Sequence, residues 1–359
     1  MMFTTLDRYL LWFFLRRAGA IAGALSAILL LFDVLANADD IVAGSGRVVV
    51  PLLAYGGLRL PEVIALVIPL SALLATLVTY ANAVNTHEMV AIRGAGISIY
   101  RVTAALLFGA CVLAAIHLWF SETVLPATSS RLELWQAQDY NGLPPRRRPQ
   151  QAPTWFAVGD SLVQVGGSSF DGRRLRDIAV VQRNENGRML RYLRAETARY
   201  AESAWHLRNI HRMQIDGGTA ETVERMRLAL PVKPKRFAAL GERPGALTMS
   251  DLWRLARNDD LGGRPPHVYY AWFQRKIAHP LGALVMVLLA APIGLQHARR
   301  SRMLIASLGS IGAGFLFFVA ERLLLALGET GLLPTAMAVW SPAIVFSILA
   351  SWVLLHYEG

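Results

Sequence analysis

The sequence predicts an α-helical polytopic membrane protein, six transmembrane helices arranged three and three, with an all-β domain inserted between the halves. Composition is the first reason: 54% of the 359 residues are hydrophobic and only 17% charged, and the mean hydropathy is +0.38, too apolar for an ordinary soluble domain. The second is that six stretches reach the length a helix needs to cross a bilayer. The third is that the long stretch between the third and fourth has short alternating runs instead.

In chain order the expected spans are 12–36, 60–82, 101–121, 271–295, 303–327 and 337–356. The first is also compatible with a secretory signal, because Ala36-Asn37-Ala38 has the small-x-small form of a cleavage site. Its apolar core from Ala18 to Leu35 would extend about 27 Å as a helix, longer than a signal core, so a retained span is expected. The domains are then 1–121 with spans one to three, 122–264 as the β domain, and 265–359 with spans four to six.

Orientation follows from positive charge in the short loops. Arg8, Arg16 and Arg17 at the start, Arg93 and Arg101 after span two, and Arg299, Arg300 and Arg302 after span four belong on the cytoplasmic side. Both termini are then cytoplasmic and the large domain lies outside; its own arginines do not count, because long domains translocate regardless of charge.

Within 122–264, Trp155–Val165, "DIAVVQR", "RMLRYLRAE" and "WHLRNIHRMQI" have strand length, and Asn186-Gly187 is a hairpin signal. Strict alternation in the last puts Trp205, Leu207, Met213 and Ile215 on one face, and His206, Arg208, Arg212 and Gln214 on the other. Under that alternation His206 and His211 lie on opposite faces and do not share a metal. Several such strands suggest a sandwich or open barrel. Pro144-Pro145 and "RRRPQQAP" read as an entry linker, and "SDLWRLARN", capped by Ser250, as a short helix leading back.

The formal charge is +11, which in a membrane chain reflects topology and anionic lipid more than nucleic acid. From 122 to 264 there are 23 Lys or Arg against 16 Asp or Glu; a solvated surface or an anionic ligand would account for it. The single cysteine, Cys111, excludes an internal disulfide and a Cys-based metal site. Nucleotide-binding, zinc-protease, nucleophile-elbow and dinucleotide signatures are missing, so no catalytic residues, metal or cofactor are expected.

Gly19-x-x-x-Gly23 in span one and Gly309-x-x-x-Ala313 in span five have the spacing that lets helix backbones approach, towards a partner or within the chain. Arg275, Lys276 and His279 in span four, and Glu321 with Arg322 in span five, are costly in a membrane, and their pattern leaves internal ion pairs and lipid head-group contact both open. "NTHEMVAIRGAGIS" lies between two spans. Capped by Asn85 or Thr86 and ended by Gly94 and Gly96, it would form a two-turn helix with Glu88 and Ile92 on one face and Met89 beside them. Such a helix could dock in a groove on a partner, or be a plain loop whose Arg93 sets topology.

"VIPLSALLATLVTYANAVNTHEMVAIRGAGIS", together with "LDRYL", "WFQRKIAHPL" and "GLLPTAMAVWSPAIVF", resembles the LptF/LptG permeases of the lipopolysaccharide export ABC transporter, and the LptG branch more than LptF. The resemblance covers the chain in order and spacing. It implies an inner-membrane permease whose outer domain is a periplasmic β-jellyroll, paired with LptF on a homodimeric LptB ATPase that binds the ATP, and passing lipopolysaccharide towards LptC. It implies that Glu88, with Met89, Ile92 and Arg93, couples to the ATPase, and that spans one and five line lateral gates. The lysines such proteins carry at the outer end of span one are replaced here by Ala36, Asn37, Ala38, Asp39 and Asp40. Arg47, Arg59, Arg275, Lys276 and Arg322 are therefore the candidate lipid-binding cations. An LptF-type role, and a membrane sensor with an outer β domain, are the alternatives.

Overall fold

The computed structural model describes residues 5–136, 138–143, 154–158, 161–168, 173–183, 189–201, 204–214, 219–228, 244–257, 264–292 and 300–358. The helices are α1 (Thr5–Ala36), α2 (Ala38–Ser45), α3 (Val49–Asn85), α4 (Glu88–Gly94), α5 (Ile99–Thr123), α6 (Leu125–Gln136), α7 (Met249–Arg257), α8 (Pro266–Ala290), α9 (Arg300–Glu329) and α10 (Thr335–Glu358). The strands are β1 (Thr154–Val158), β2 (Ser161–Ser168), β3 (Arg174–Arg183), β4 (Met189–Ala201), β5 (Ala204–Gln214) and β6 (Thr219–Leu228).

Among the described residues five helices, α1, α3, α5, α9 and α10, are long and apolar enough to cross a membrane. At the expected fourth span, α8 is helical over Pro266–Ala290, but Gln274, Arg275, Lys276 and His279 interrupt the apolar run in its first half. Proline does not end these helices: Pro61 and Pro69 lie inside α3, Pro280 inside α8 and Pro342 inside α10. Membrane helices tolerate this where neighbours and hydroxyls re-satisfy the freed backbone groups. Beside Pro69, Ser71 Oγ donates to the Ile68 carbonyl at 2.7 Å.

The described chain divides into two compact units, one of Met1–Ala38, Gly56–Leu125 and Tyr270–Gly359, the other of Asp39–Tyr55 and Pro126–Tyr269. Inclusion of 39–55 in the second was not expected from the sequence. It has a local cause: Ile41, Tyr55, Leu132 and Trp135 are buried, Tyr140 sits edge-on to both Tyr55 and Trp135, and a Cβ at Gly44 would collide with the Asp139 carbonyl.

The core of the first unit gathers Leu10 and Phe14 of α1, Leu73, Leu77 and Tyr80 of α3, Leu106 of α5 and Met286 and Val287 of α8. Phe14 lies against Gly109 with no room for a Cβ there, which seats α1 on α5. Tyr80 and Thr103 share a buried hydroxyl hydrogen bond of 2.8 Å between α3 and α5. Arg17 donates to Thr79 at 3.0 Å.

Among the described residues the second unit carries one six-stranded antiparallel sheet in sequential order β1 to β6. The Asn186-Gly187 turn lies outside the described residues, but β3 and β4 pair on either side of it. The jellyroll-like, two-sheet arrangement expected is not what the described strands form: every connection between neighbours is of hairpin type, with no Greek-key crossover among them. The core of the sheet holds Val163, Val165, Leu175, Ile178, Val180, Leu193, Ala195, Ala198, Trp205, Leu207 and Ile210.

Strict alternation is not kept. Leu207 and Ile210 are both buried, as are Leu175 and Ile178, and Ala195 and Ala198; each strand places two consecutive residues outward between them. Asp177 (φ 47°) and Asn209 (φ 51°) adopt the left-handed region at this seam, and Asp and Asn are the non-glycine residues that tolerate it. Gly166 completes the row, where a Cβ would stand 3.0 Å from that of Asp177. The expected face of β5 is corrected accordingly: Met213 is 51% exposed and Ile210 takes the core position, while Ile215 lies outside the described residues. His206 and His211 consequently share the face away from the core. The short helix is also capped differently. Thr248, not Ser250, accepts the Asp251 amide (3.3 Å) and donates to the Asp251 carboxylate (2.7 Å), a capping arrangement at the start of α7.

Candidate functional site

The turn between α3 and α5 forms α4, the helix expected over Glu88–Gly94. Its cap differs from expectation. Thr86 Oγ1 donates back to the Asn82 carbonyl of α3 at 2.9 Å, and the N-cap is His87 at φ 59° without a side-chain cap bond. The end follows the glycine signal: Gly96 (φ 77°) donates its amide to the Arg93 carbonyl at 2.9 Å.

The two faces of α4 are sharply divided. Met89 is 5% exposed within the core of the first unit, and Ile92 packs against that core. Val90 is 66% exposed, Ala91 and Arg93 are exposed, and Glu88 is half-buried. Met89 and Ile92 are therefore anchors holding α4 to its own chain. The outward side carries Glu88, Val90, Ala91 and Arg93, and Val90 is the exposed apolar residue that the sequence does not single out, since two turns are too short for a face to be read from periodicity.

The candidate cations separate by environment. Lys276 is buried and donates to the Glu122 carboxylate at 2.7 Å and the Ser121 carbonyl at 3.1 Å. Glu321 is shared by His279, Nδ1 to Oε1 at 2.7 Å, and Arg275, Nε to Oε1 at 3.4 Å. His117 of α5 stands edge-on to His279 with ring centroids 5.2 Å apart, and Arg275 lies over the Trp272 ring at 4.9 Å. The internal-ion-pair alternative is the one the geometry supports for Arg275 and Lys276. Arg59 likewise pairs with Asp33 at 3.0 Å and with Glu62. Arg47 and Arg322 are exposed. Among the described residues no group of His, Cys, Asp and Glu is arranged to hold a metal ion.

The small-residue positions also divide. Gly19, Gly23 and Gly309 have nothing within 4 Å of an added Cβ, so within this chain they bring no helices together. Ala313 packs against the core, and its neighbour Gly314 admits Leu73 and Met286, where a Cβ would meet Leu73 at 2.9 Å. Ser310 donates to the Leu289 carbonyl at 2.9 Å, joining α9 to α8.

Comparison with known proteins accords with long apolar helices and a separate antiparallel sheet. The family described as lipopolysaccharide export system permease LptF/LptG matches residues 8–356. The lipopolysaccharide export system permease protein LptG of Haemophilus influenzae (strain ATCC 51907 / DSM 11121 / KW20 / Rd) is 24% identical over 366 residues, covering 98% of this chain and 99% of that protein. LptG of Escherichia coli (strain K12) is 23% identical over 316 residues, covering 84% of each. With a family match running nearly from end to end, the chain belongs to the LptF/LptG family of lipopolysaccharide export system permeases.

Proposed function

We propose that this chain is the LptG-type permease subunit of an ABC transporter that extracts lipopolysaccharide from the inner membrane and passes it to a periplasmic β bridge towards the outer membrane. In this reading α1, α3, α5, α8, α9 and α10 are six spans, three on each side of the sheet-bearing unit, with both termini in the cytoplasm and the sheet in the periplasm. ATP is bound by a homodimeric LptB ATPase, LptF is the second permease, and LptC receives the lipid. The LptG names of the relatives support the branch assignment.

The observation that carries the reading is the division of α4. A helix anchored by Met89 in the core of its own spans, with Glu88, Val90 and Arg93 on its outer side, can transmit a push from a partner into α3 and α5 without itself folding around that partner. Glu88 supplies the carboxylate for a charged hydrogen bond to the ATPase, and Val90 the apolar contact. In purification from membranes in mild detergent, an ATPase and a second permease are expected to accompany the chain. Glu88→Ala is expected to insert normally and to lose lipid export or ATPase association; unchanged association and transport, or a stable lone chain, would refute the assignment.

A further inference from the structure

Arg17 and Arg101 count as topology signals in the sequence, and the structure gives both a second task. Around the turn that carries α4, three helices are bridged pair by pair. Arg17 Nη1 of α1 donates to Thr79 Oγ1 of α3 at 3.0 Å. Tyr80 of α3 and Thr103 of α5 share their buried hydroxyl hydrogen bond of 2.8 Å. Arg101 of α5 returns to Asp7 in the first turn of α1, Nη2 to Oδ2 at 3.6 Å, with the Asp7 side chain 13% exposed. The triangle is filled by apolar contact. Leu10 and Phe14 of α1 share one core with Tyr80, Met89 and Leu106, and the Phe14 ring closes on Gly109. Thr79 and Tyr80 lie within about two turns of the end of α3, and Arg101 and Thr103 within about two turns of the start of α5, the two ends that α4 joins. α1 has no such chain connection to α4, since α2 and the whole of α3 intervene.

We infer that Asp7, Arg17, Thr79, Tyr80, Arg101 and Thr103 are positioning residues for energy coupling: they brace α3 and α5 against each other and tie α1 to both, so that a displacement of α4 moves three helices as one block. Their role rests on the reading of α4 as the element that an ATPase pushes. A push on a two-turn helix either bends the turns on its two sides or moves the helices they join. Which of these happens depends on how firmly those helices are braced. Apolar packing is non-directional, whereas a hydrogen bond fixes both distance and angle, and does so more firmly where water is excluded. With one bridge on each of the three pairs, no helix in the triangle can slide or turn without breaking a bridge. None of the six residues lies on α4, so their replacement leaves Glu88, Val90 and Arg93 in place for the ATPase.

The test uses the chain assembled with its ATPase and second permease in lipid vesicles, with LptC as acceptor, and reads ATP hydrolysis and lipopolysaccharide transfer in the same preparation. Arg17→Met, and separately Tyr80→Phe combined with Thr103→Val, are expected to assemble and to hydrolyse ATP, but to transfer about fivefold less lipid per ATP, the factor that one hydrogen bond is worth. Arg17→Lys, which keeps a donor, is expected to retain the wild-type ratio. Ser310→Ala removes a comparable buried bond between α9 and α8, outside the triangle, and is expected to leave the ratio unchanged. Should Arg17→Met fail to assemble, Asp7→Asn, which weakens the third bridge, takes its place with the same expected fall. A wild-type ratio in both the Arg17 and the Tyr80 with Thr103 variants overturns the inference, and so does an equal fall in Ser310→Ala, which would reduce the bridges to ordinary packing. Those two results leave the permease assignment standing, whereas a wild-type preparation that carries no ATPase overturns that assignment and this inference together.

Discussion

Two arginine–carboxylate pairs, one in each unit, have opposite meanings. Arg194 and Asp177 on the sheet meet at 3.0 Å with side chains 57% and 49% exposed. Arg275 and Glu321 in the helical unit meet at 3.4 Å with 12% and 9% exposed. The closer pair is the less consequential. Water and salt screen an exposed bridge, so its formation changes little; a buried charge whose partner is removed has nothing to replace it. The Asp177 carboxylate raises the Arg194 pKa above its ordinary value, which leaves that arginine as fully charged as it already was. Distance ranks these contacts wrongly, and burial ranks them correctly.

Substitutions can break this comparison. The largest effect is expected from Glu321→Ala, which strands Arg275 and should cost about 3–5 kcal/mol, read as lost thermal stability of the purified chain in detergent. Replacing both partners, Arg275→Met with Glu321→Leu, should recover most of that loss; failure to recover would mean that the pair does more than neutralise itself. A smaller effect, about 1–3 kcal/mol, is expected from Gly314→Leu, which drives a side chain into Leu73 and Met286, whereas Gly309→Leu, with open space around it, should leave the unfolding transition of the same preparation in place. Smallest is Arg194→Gln, for which the melting temperature should not change measurably.

Much of the helical unit was legible because an apolar run long enough to cross a bilayer is rare in a chain that folds in water. The partners of its charges were not. Lys276 finds Glu122 across 154 positions and His279 finds Glu321 across 42; no local pattern encodes contacts between helices so far apart in sequence. In the candidate coupling site the existence of α4 could be read from its flanking glycines, but its orientation is set by the core that Met89 enters, which residues far from α4 in the sequence build. The cap of α7 was readable from Thr248 and Asp251 at the spacing of a capping motif. In the sheet, the strands were visible and their single-sheet arrangement was not, because the alternation expected of β5 ignored what an asparagine can do to the backbone.

The seam at Asp177 and Asn209 also bears on how the sheet comes to form. Buried residues three apart, Leu207 with Ile210 and Leu175 with Ile178, interrupt the alternation at the seam, so each strand signal is split into two short runs. Pairing with the neighbouring strand joins the two runs into one strand across the seam. Hairpins that close early can supply that template in sequence, β3 with β4 and then β5, which keeps the search local despite a pattern that is not.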